Sequence, residues 1–419
     1  MSASQLDRKA FSTLVLAMLT MALGVGLIIP LLPVYAKEMG ASGIWIGLIF
    51  GANPFVRGVF TLFIGSLADR MDKKKLILIG LSGYFLIAFG FALARAPWQL
   101  FLMRVCQGAF SAAVLPVSRA YAGSLAPPGS EGRLMGMFNL AFFAGFAFGP
   151  LTGGVMADQL GRNSPFMGMA VLTGIALVMA YRYLPSQLPV AASGGGPTKR
   201  RGVDFRPLSD PHIVGLIAGR AMLAVGRGVF STLMPVFGES TLALNSAQIG
   251  LVVTMRSTLE STLQAPMGRV ADTHDRRLIG IVAFSLVPVA LFLIPTARTH
   301  TALVLFAMLL GMGSGAGVPA VTAMTVEKGR TWGMGSLMGL EGVSMSFGMA
   351  AGSSLGGVVM EATSLPTSFR VAGIVGMLGI AVFWVLTRGY QVGPKPQPRQ
   401  VVAAAPPSSL SGTRTQHNG

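Results

Sequence analysis

Acidic and basic side chains occur inside long apolar stretches of this sequence, where each costs about 2.5–3.5 kcal/mol to place near the centre of a membrane. One stretch carries Arg256, Glu260 and Gln264, which are four residues apart and therefore share one face of a helix. Another carries Glu341, with no basic residue within one turn of its own helix. Because burial and a neighbouring guanidinium act on a carboxyl group in opposite directions, such a group can gain and lose a proton as its surroundings change. We therefore predict that Glu260, Glu341 or both carry a proton.

Arginines outnumber these two acids at the buried positions. The arginines are Arg57, Arg104, Arg220, Arg227 and Arg256, so the excess is three positive charges. A cavity with this charge is predicted to take an anionic, zwitterionic or weakly acidic molecule rather than a lipophilic cation. The candidate substrate-binding residues are Asn53, Arg57, Gln107, Asn139, Arg227, Arg256, Gln264 and Ser344. An alternative stays open, in which Arg256 pairs with Glu260, and Arg57 with Glu341 or Glu260, only to make the helices insertable.

The stretches that carry these residues have the length and composition of membrane-spanning helices. Hydrophobic residues make up 52% of the 419-residue chain and charged residues 11%, against roughly 25% charged residues in a soluble domain. About 20 apolar residues cross a bilayer as a helix, which predicts an all-α membrane protein with twelve transmembrane helices. The predicted spans are 10–36, 44–66, 76–94, 97–123, 132–157, 164–184, 211–238, 246–268, 277–297, 301–326, 333–360 and 366–388.

The sequence contains an internal repeat, which appears when it is aligned with itself at a shift of about 203 residues. This shift pairs Gly47 with Gly250, Asp69 with Asp272 and Gly149 with Gly352. Duplicated halves of this length in a membrane protein are typical of transporters. The expected organisation is two pseudo-symmetric six-helix halves, 1–190 and 211–388, joined by a cytoplasmic linker at 191–210 and followed by a disordered cytoplasmic tail at 389–419.

The net charge of +17 is explained by membrane topology rather than by nucleic-acid binding. With both termini in the cytoplasm, only five of the 32 Lys and Arg residues would lie on the outer side: Lys37, Arg95, Arg162, Arg298 and Arg370. An excess of basic residues in cytoplasmic loops is the positive-inside pattern. The single cysteine, Cys106, excludes a disulfide framework. We expect a multi-pass protein of a bacterial plasma (inner) membrane, in contact with lipid.

The loop after the second predicted span carries a recognisable motif. It reads Gly65-Ser66-Leu67-Ala68-Asp69-Arg70-Met71-Asp72-Lys73-Lys74-Lys75, and residues 268–277 repeat part of it around Asp272. It resembles the Gly-x-Leu-Ala-Asp-Arg-x-Gly-Arg-Lys loop of the major facilitator superfamily. That resemblance implies a gating role for Gly65, Asp69, Arg70 and Asp272. Asp72 replaces the usual glycine, and Thr273 replaces the arginine in the second copy.

Two further motifs are similar to those of the drug:proton antiporter branch, which has twelve helices. The fifth predicted span contains Gly145, Gly149, Pro150, Gly153 and Gly154, in the order Gly-x-x-x-Gly-Pro-x-x-Gly-Gly. On physical grounds this spacing predicts a tightly packed, bent helix. The fourth span contains Arg104-Val105-Cys106-Gln107-Gly108, similar to that branch's Arg-x-x-Gln-Gly motif. The resemblance implies export, with Arg104 taking part in proton coupling.

These patterns favour a secondary active transporter, a proton-coupled multidrug-type efflux antiporter that exports an amphiphilic small molecule by alternating access and acts as a monomer. The alternatives are a carrier of organic anions, phosphorylated metabolites or lipid-linked substrates, and a membrane sensor that does not transport. An enzyme is not expected, nor a cofactor or metal site. The four histidines lie at span ends or in loops and the tail, and the glycine-rich run at 311–317 lies in an apolar span.

Overall fold

The computed structural model describes residues 3–68, 71–125, 131–186 and 206–390. The predictions for Asp69, Arg70, most of the linker and residues 391–419 fall outside these ranges. The described part forms thirteen α-helices: α1 (Ala3–Ile28), α2 (Leu32–Glu38), α3 (Gly43–Ala68), α4 (Lys73–Leu93), α5 (Pro97–Ser124), α6 (Glu131–Leu160), α7 (Ser164–Tyr183), α8 (Pro211–Leu242), α9 (Ser246–Thr273), α10 (Arg276–Leu293), α11 (His300–Trp332), α12 (Met334–Ala362) and α13 (Leu365–Leu386).

Two short 3₁₀ helices complete these elements, at Arg206–Ser209 and Ile294–Thr296. The first lies within the predicted linker, so the last part of that segment is ordered. Helices α1 and α2 together make the first membrane span, which is interrupted after Ile28 because Pro30 and Pro33 lack the backbone donor that a continuous helix needs.

Within the described residues, eleven segments are long and apolar enough to cross a membrane. The twelfth is α9, which has 28 residues and is about 42 Å long at 1.5 Å per residue. Its hydropathy is lower because it contains Arg256, Glu260 and Arg269. The predicted all-α fold is confirmed, with α9 as the most polar of its spans.

Helix packing follows the same order in α1–α7, here called the first half, and in α8–α13, the second half. In the first half α1 packs on α6 and α7, α3 on α5, and α4 on α5 and α7. The second half repeats this order, with α8 on α12 and α13, α9 on α11, and α10 on α11 and α13. The halves meet where α3 packs on α12 and where α6 packs on α9.

The glycine motif of α6 lies in two of these contacts. Side chains added at Gly145, Gly149 or Gly153 would collide with the backbone of α1, and one at Gly154 would collide with the start of α9. Helices in a membrane pack by such close approach of small residues. The motif therefore lets α6 pack closely against α1 in its own half and against α9 in the other half.

We expect Gly149→Val to lower the yield of folded protein, because its Cβ would meet the backbone of Gly26 and overpacking costs about 1–3 kcal/mol. The measurement is the monodisperse fraction in size-exclusion chromatography after detergent extraction. Gly136→Val is the matched control on the same helix, since a Cβ there meets no atom within 4 Å. Equal yields from the two variants would contradict the packing role.

The two halves contact each other closely at one end of the bundle, and α12 is less tightly surrounded near its start, at the other end. At the closed end, Gly43 and Gly47 of α3 contact α12 at Gly357, and Gly250 of α9 contacts Pro150 of α6. At the open end, a side chain added at Gly339 or Gly342, near the start of α12, would meet no atom within 4 Å. We use "closed end" for the side with the turns near residues 40, 162, 244 and 363, and "open end" for the side with the turns near 71, 275 and 333.

Candidate functional site

The carboxylate of Glu260 lies between two guanidinium groups. Its Oε1 accepts a hydrogen bond from Arg227 Nη2, contributed by α8, and its Oε2 accepts one from Arg256 Nη2, one turn away on α9, at 2.7 Å. The Arg256 guanidinium also lies 5.2 Å from the centre of the Phe230 ring. We call Arg227, Arg256 and Glu260 the Glu260 cluster. Each carboxylate oxygen of Glu260 therefore contacts a positively charged guanidinium group.

Among the described residues, Glu341 of α12 has a single charged partner, Arg220 of α8. Arg220 Nη2 contacts Glu341 Oε1, and the two side chains are only 8% and 7% exposed. Glu341 Oε2 and the Nε and Nη1 atoms of Arg220 are buried without a hydrogen-bond partner in the described part of the chain. A buried polar atom without a partner costs about 1–3 kcal/mol. This pair is therefore incompletely satisfied in the conformation observed.

The first half carries a polar cluster built around Arg104 of α5. Arg104 Nη1 donates to Gln107 Oε1 at 2.8 Å, its Nε donates to the Ile49 carbonyl at 3.3 Å, and its guanidinium lies 4.9 Å from the centre of the Phe50 ring. Asn53 of α3 also donates to Gln107 Oε1, at 3.4 Å. The predicted residues Asn53, Arg104 and Gln107 are thus brought together.

Arg57 lies one turn beyond Asn53 on α3. Within the described residues, the carboxylates that could pair with it are engaged elsewhere: Glu341 with Arg220, and Glu260 with Arg227 and Arg256. The alternative that Arg57 pairs with Glu341 or Glu260 across the halves is therefore wrong for this conformation. Each acid is instead neutralised inside the second half, because α8 presents Arg220 and Arg227 to α12 and α9.

Equivalent glycines hold these clusters in place. Gly108 of α5 lies against the backbone of α3 at Asn53 and Arg57. In the second half, Gly311 and Gly315 of α11 lie against the backbone of α9 at Arg256 and Glu260. Because these glycines have no side chain, the backbones of α5 and α11 lie directly against the helices that carry the polar residues, α3 and α9. Sequence reasoning missed this role, although the match of Gly108 to Gly311 across the repeat was a signal for it.

Arg220 was counted among the buried arginines but not among the candidate site residues, although it is the partner of Glu341. Its signal was weak: it lies seven residues before Arg227, which places the two side chains on one helix face. Of the other candidates, Ser344 donates to the Ile217 carbonyl of α8 at 3.2 Å. Asn139 Oδ1, on α6, is buried without a described partner, and Gln264 is half-buried on α9.

Two of the gating-loop candidates, Gly65 and Asp272, lie at the open end. Gly65 is in the last turns of α3, and Asp272 is near the end of α9. The Asp272 side chain is 71% exposed, and its Oδ1 is 3.7 Å from Arg276 Nη2 in its own half. Arg276 in turn contacts Glu327 Oε2 at 3.2 Å. Of the histidines, cysteine and acids in the described ranges, no group of three or more is placed to hold a metal ion.

Comparison with known proteins agrees with this architecture. The family model of the Major Facilitator Superfamily matches residues 14–245 and 216–416. An uncharacterised MFS-type transporter of Methanocaldococcus jannaschii is 26% identical over 381 residues, covering 89% of this chain and 97% of the relative. The multidrug resistance protein MdtG of Yersinia enterocolitica is 25% identical over 376 residues, covering 86% of this chain and 89% of the relative.

The crystal structure of the nucleoside transporter NupG (D323A mutant) has the same fold, with a TM-score of 0.76 at 16% identity, covering 91% of this chain and 99% of that one. The family model spans both halves, and the helix packing described above repeats between them. The chain is thus a multi-pass membrane transporter that belongs to the major facilitator superfamily.

Proposed function

We propose that this transporter exports an amphiphilic anionic or zwitterionic small molecule in exchange for protons, by alternating access between its two halves. One observation carries the proposal: the charges are divided between the halves. In the second half Glu260 and Glu341 have arginine partners. Arg57 and Arg104 of the first half lie within 4 Å of no carboxylate in the described part of the chain.

The arginines of the first half are suited to hold the substrate. A guanidinium presents several donors in one plane and binds a carboxylate or phosphate through two hydrogen bonds. Arg104 is already anchored by Gln107 and the Ile49 carbonyl. Arg57 has no such hydrogen bond in the described part of the chain, so we assign it the direct contact with a substrate anion. The remaining cavity candidates, Asn53, Gln107, Asn139, Gln264 and Ser344, would bind the polar parts of the substrate.

Glu341 is the better placed of the two acids for proton exchange. Glu260 shares its charge with two guanidinium groups, and protonation would disrupt both contacts. Within the ranges that the structure describes, Glu341 has one charged partner and one buried oxygen without a hydrogen bond, Oε2. A proton on Oε2 would weaken the Arg220 contact and release that guanidinium. Proton uptake and the exposure of a positive charge would then be coupled within one pair of helices.

The similarity to MdtG supports export, since that relative is named for multidrug resistance. Basic residues support an orientation with the open end in the cytoplasm, because Lys73, Lys74, Lys75, Arg276 and Arg277 lie at that end and such residues are enriched in cytoplasmic loops. We therefore propose an inward-facing state of a monomer in a bacterial inner membrane. Both termini are then cytoplasmic, and Gly65, Asp69, Arg70 and Asp272 would gate this side.

Everted vesicles that hold an acid-inside gradient, reported by a pH-sensitive dye, test the proposal. Anionic, zwitterionic and cationic compounds are added in turn to vesicles with and without the protein. We expect anionic or zwitterionic amphiphiles to dissipate the gradient only when the protein is present. Dissipation by lipophilic cations alone would overturn the assignment of substrate charge.

A second candidate is a proton-independent carrier of organic anions, phosphorylated metabolites or lipid-linked molecules. It is favoured by the absence of a described carboxylate beside Arg57, and an anion clamp of Arg57, Arg227 and Arg256 would form if Glu260 released its two arginine partners. Such a carrier would exchange labelled anion for unlabelled anion across the membrane without moving the dye signal. A non-transporting sensor would bind the compound in detergent and give neither signal.

A further inference from the structure

A carboxylate of the first half caps a helix of the second half at the closed end. The Asp158 side chain, near the end of α6, accepts a hydrogen bond from the Ser246 N–H on Oδ1 at 3.1 Å and one from the Ala247 N–H on Oδ2 at 2.9 Å. Ser246 begins α9. The first N–H groups of a helix lack partners within the helix, and the helix dipole favours a negative charge beside them.

The symmetry-related contact runs in the opposite direction. Glu361, near the end of α12, accepts a hydrogen bond from the Ile44 N–H in the first turn of α3, at 2.8 Å. A shift of 203 residues carries Asp158 onto Glu361 and Ile44 onto Ala247. Each half therefore places one acid on a helix N-terminus of the other half, at equivalent positions.

An ion pair joins the halves at the same end. Lys37 Nζ of α2 lies 2.7 Å from Glu239 Oε2 of α8. These two residues are 202 positions apart, the repeat shift that applies near the start of each half, so they are equivalents of each other. A contact between equivalent residues lies close to the pseudo-twofold axis.

We propose that Asp158, Glu361 and the Lys37–Glu239 pair form a closed-end latch, a gate that must break before this end of the transporter can open. The inference rests on the alternating access proposed above. The three contacts join one half to the other, and they lie where the glycine contacts of α3 with α12 and of α6 with α9 bring the halves together. Breaking the latch frees two helix N-termini and one lysine, which an incoming substrate or water would then meet.

Distances between spin labels test the latch without requiring transport. Arg95 and Arg298 are exposed in equivalent loops at the closed end, and Lys75 and Leu278 are exposed at the open end. Each pair is replaced by cysteines in a Cys106→Ser background, labelled with nitroxide and measured by double electron–electron resonance. We compare the otherwise unchanged protein with Asp158→Asn/Glu361→Gln.

The double variant is expected to raise the ratio of open to closed populations at the closed end about tenfold, since each charge at a helix N-terminus contributes up to about 1 kcal/mol. The open-end pair should shorten correspondingly. Glu38→Gln is the matched control: it neutralises an acid at the same end, but the partner of Glu38 is Arg162 in its own half. It should leave both distances unchanged.

A charge swap keeps the test decisive if the double variant folds poorly. Lys37→Glu should open the closed end, because it faces Glu239, and adding Glu239→Lys should close it again. Unchanged closed-end distances in Asp158→Asn/Glu361→Gln, or no restoration by the swap, would overturn the latch. Alternating access is judged separately, by whether the parent protein itself exchanges between two distances at both ends.

Discussion

Glu341→Gln is expected to slow compound-driven dissipation of the acid-inside gradient in everted vesicles at least tenfold. The neutral amide cannot take up and release a proton, and it permanently resembles the protonated state. Glu260→Gln should reduce the rate less, because Glu260 is held by both Arg227 and Arg256 in the proposed mechanism and acts mainly to organise them.

Substrate counterflow separates lost coupling from lost folding. This exchange of labelled for unlabelled compound needs no proton movement, so Glu341→Gln should retain it. The variant leaves Arg220 buried without its carboxylate, and removal of one partner of a buried pair costs about 3–5 kcal/mol. Arg220→Gln/Glu341→Gln therefore serves as a charge-neutral companion, with the same expected result. If gradient dissipation survives neutralisation of both Glu260 and Glu341, neither acid carries the coupled proton.

Arg57→Gln is expected to weaken binding of an anionic substrate at least tenfold, measured by titration of the purified protein in detergent. A hydrogen bond to a charged group contributes about 1.5–3 kcal/mol, and a tenfold change in affinity corresponds to about 1.4 kcal/mol. Arg57→Lys should recover part of the affinity, because it retains the charge but loses the two-pronged contact.

The control for Arg57 is Arg119→Gln on α5. Arg119 lies five residues before the end of α5, toward the open end, and in the described part of the chain it makes no ion pair with a carboxylate. It should bind the anion as the parent does. An equal loss in both variants would show a general effect of positive charge and would remove Arg57 from direct contact.

The spans were predictable because their signals are local. A stretch of apolar residues specifies its own helix, and the span predicted at 246–268 despite its charges is the equivalent of the span at 44–66 under the 203-residue shift. The break between α1 and α2 was not predicted, although Pro30 and Pro33 mark it. Those prolines lie in an apolar stretch of ordinary length, so hydropathy alone did not reveal the interruption.

The site was predictable only where both partners lie on one helix. Arg256 and Glu260 are four residues apart, and their contact follows from helix geometry. The partner of Glu341 comes from α8, and that choice depends on how α8 and α12 rotate against each other. Residue spacing contains no information on that rotation. The two helix caps at the closed end could not be predicted for the same reason, since Asp158 and Ser246 lie on different helices.

The polarity of α9 has a consequence for how the protein is made. Transfer of a single helix with Arg256 and Glu260 from the translocon into lipid is unfavourable, because each charged side chain adds to the free energy of insertion. Its neutralising residue, Arg227, lies on α8, which is synthesised immediately before it. Helices α8 and α9 should therefore enter the bilayer as a hairpin, with the ion pair formed at the moment of insertion. A contact in the candidate transport site would thus also serve the biogenesis of the second half.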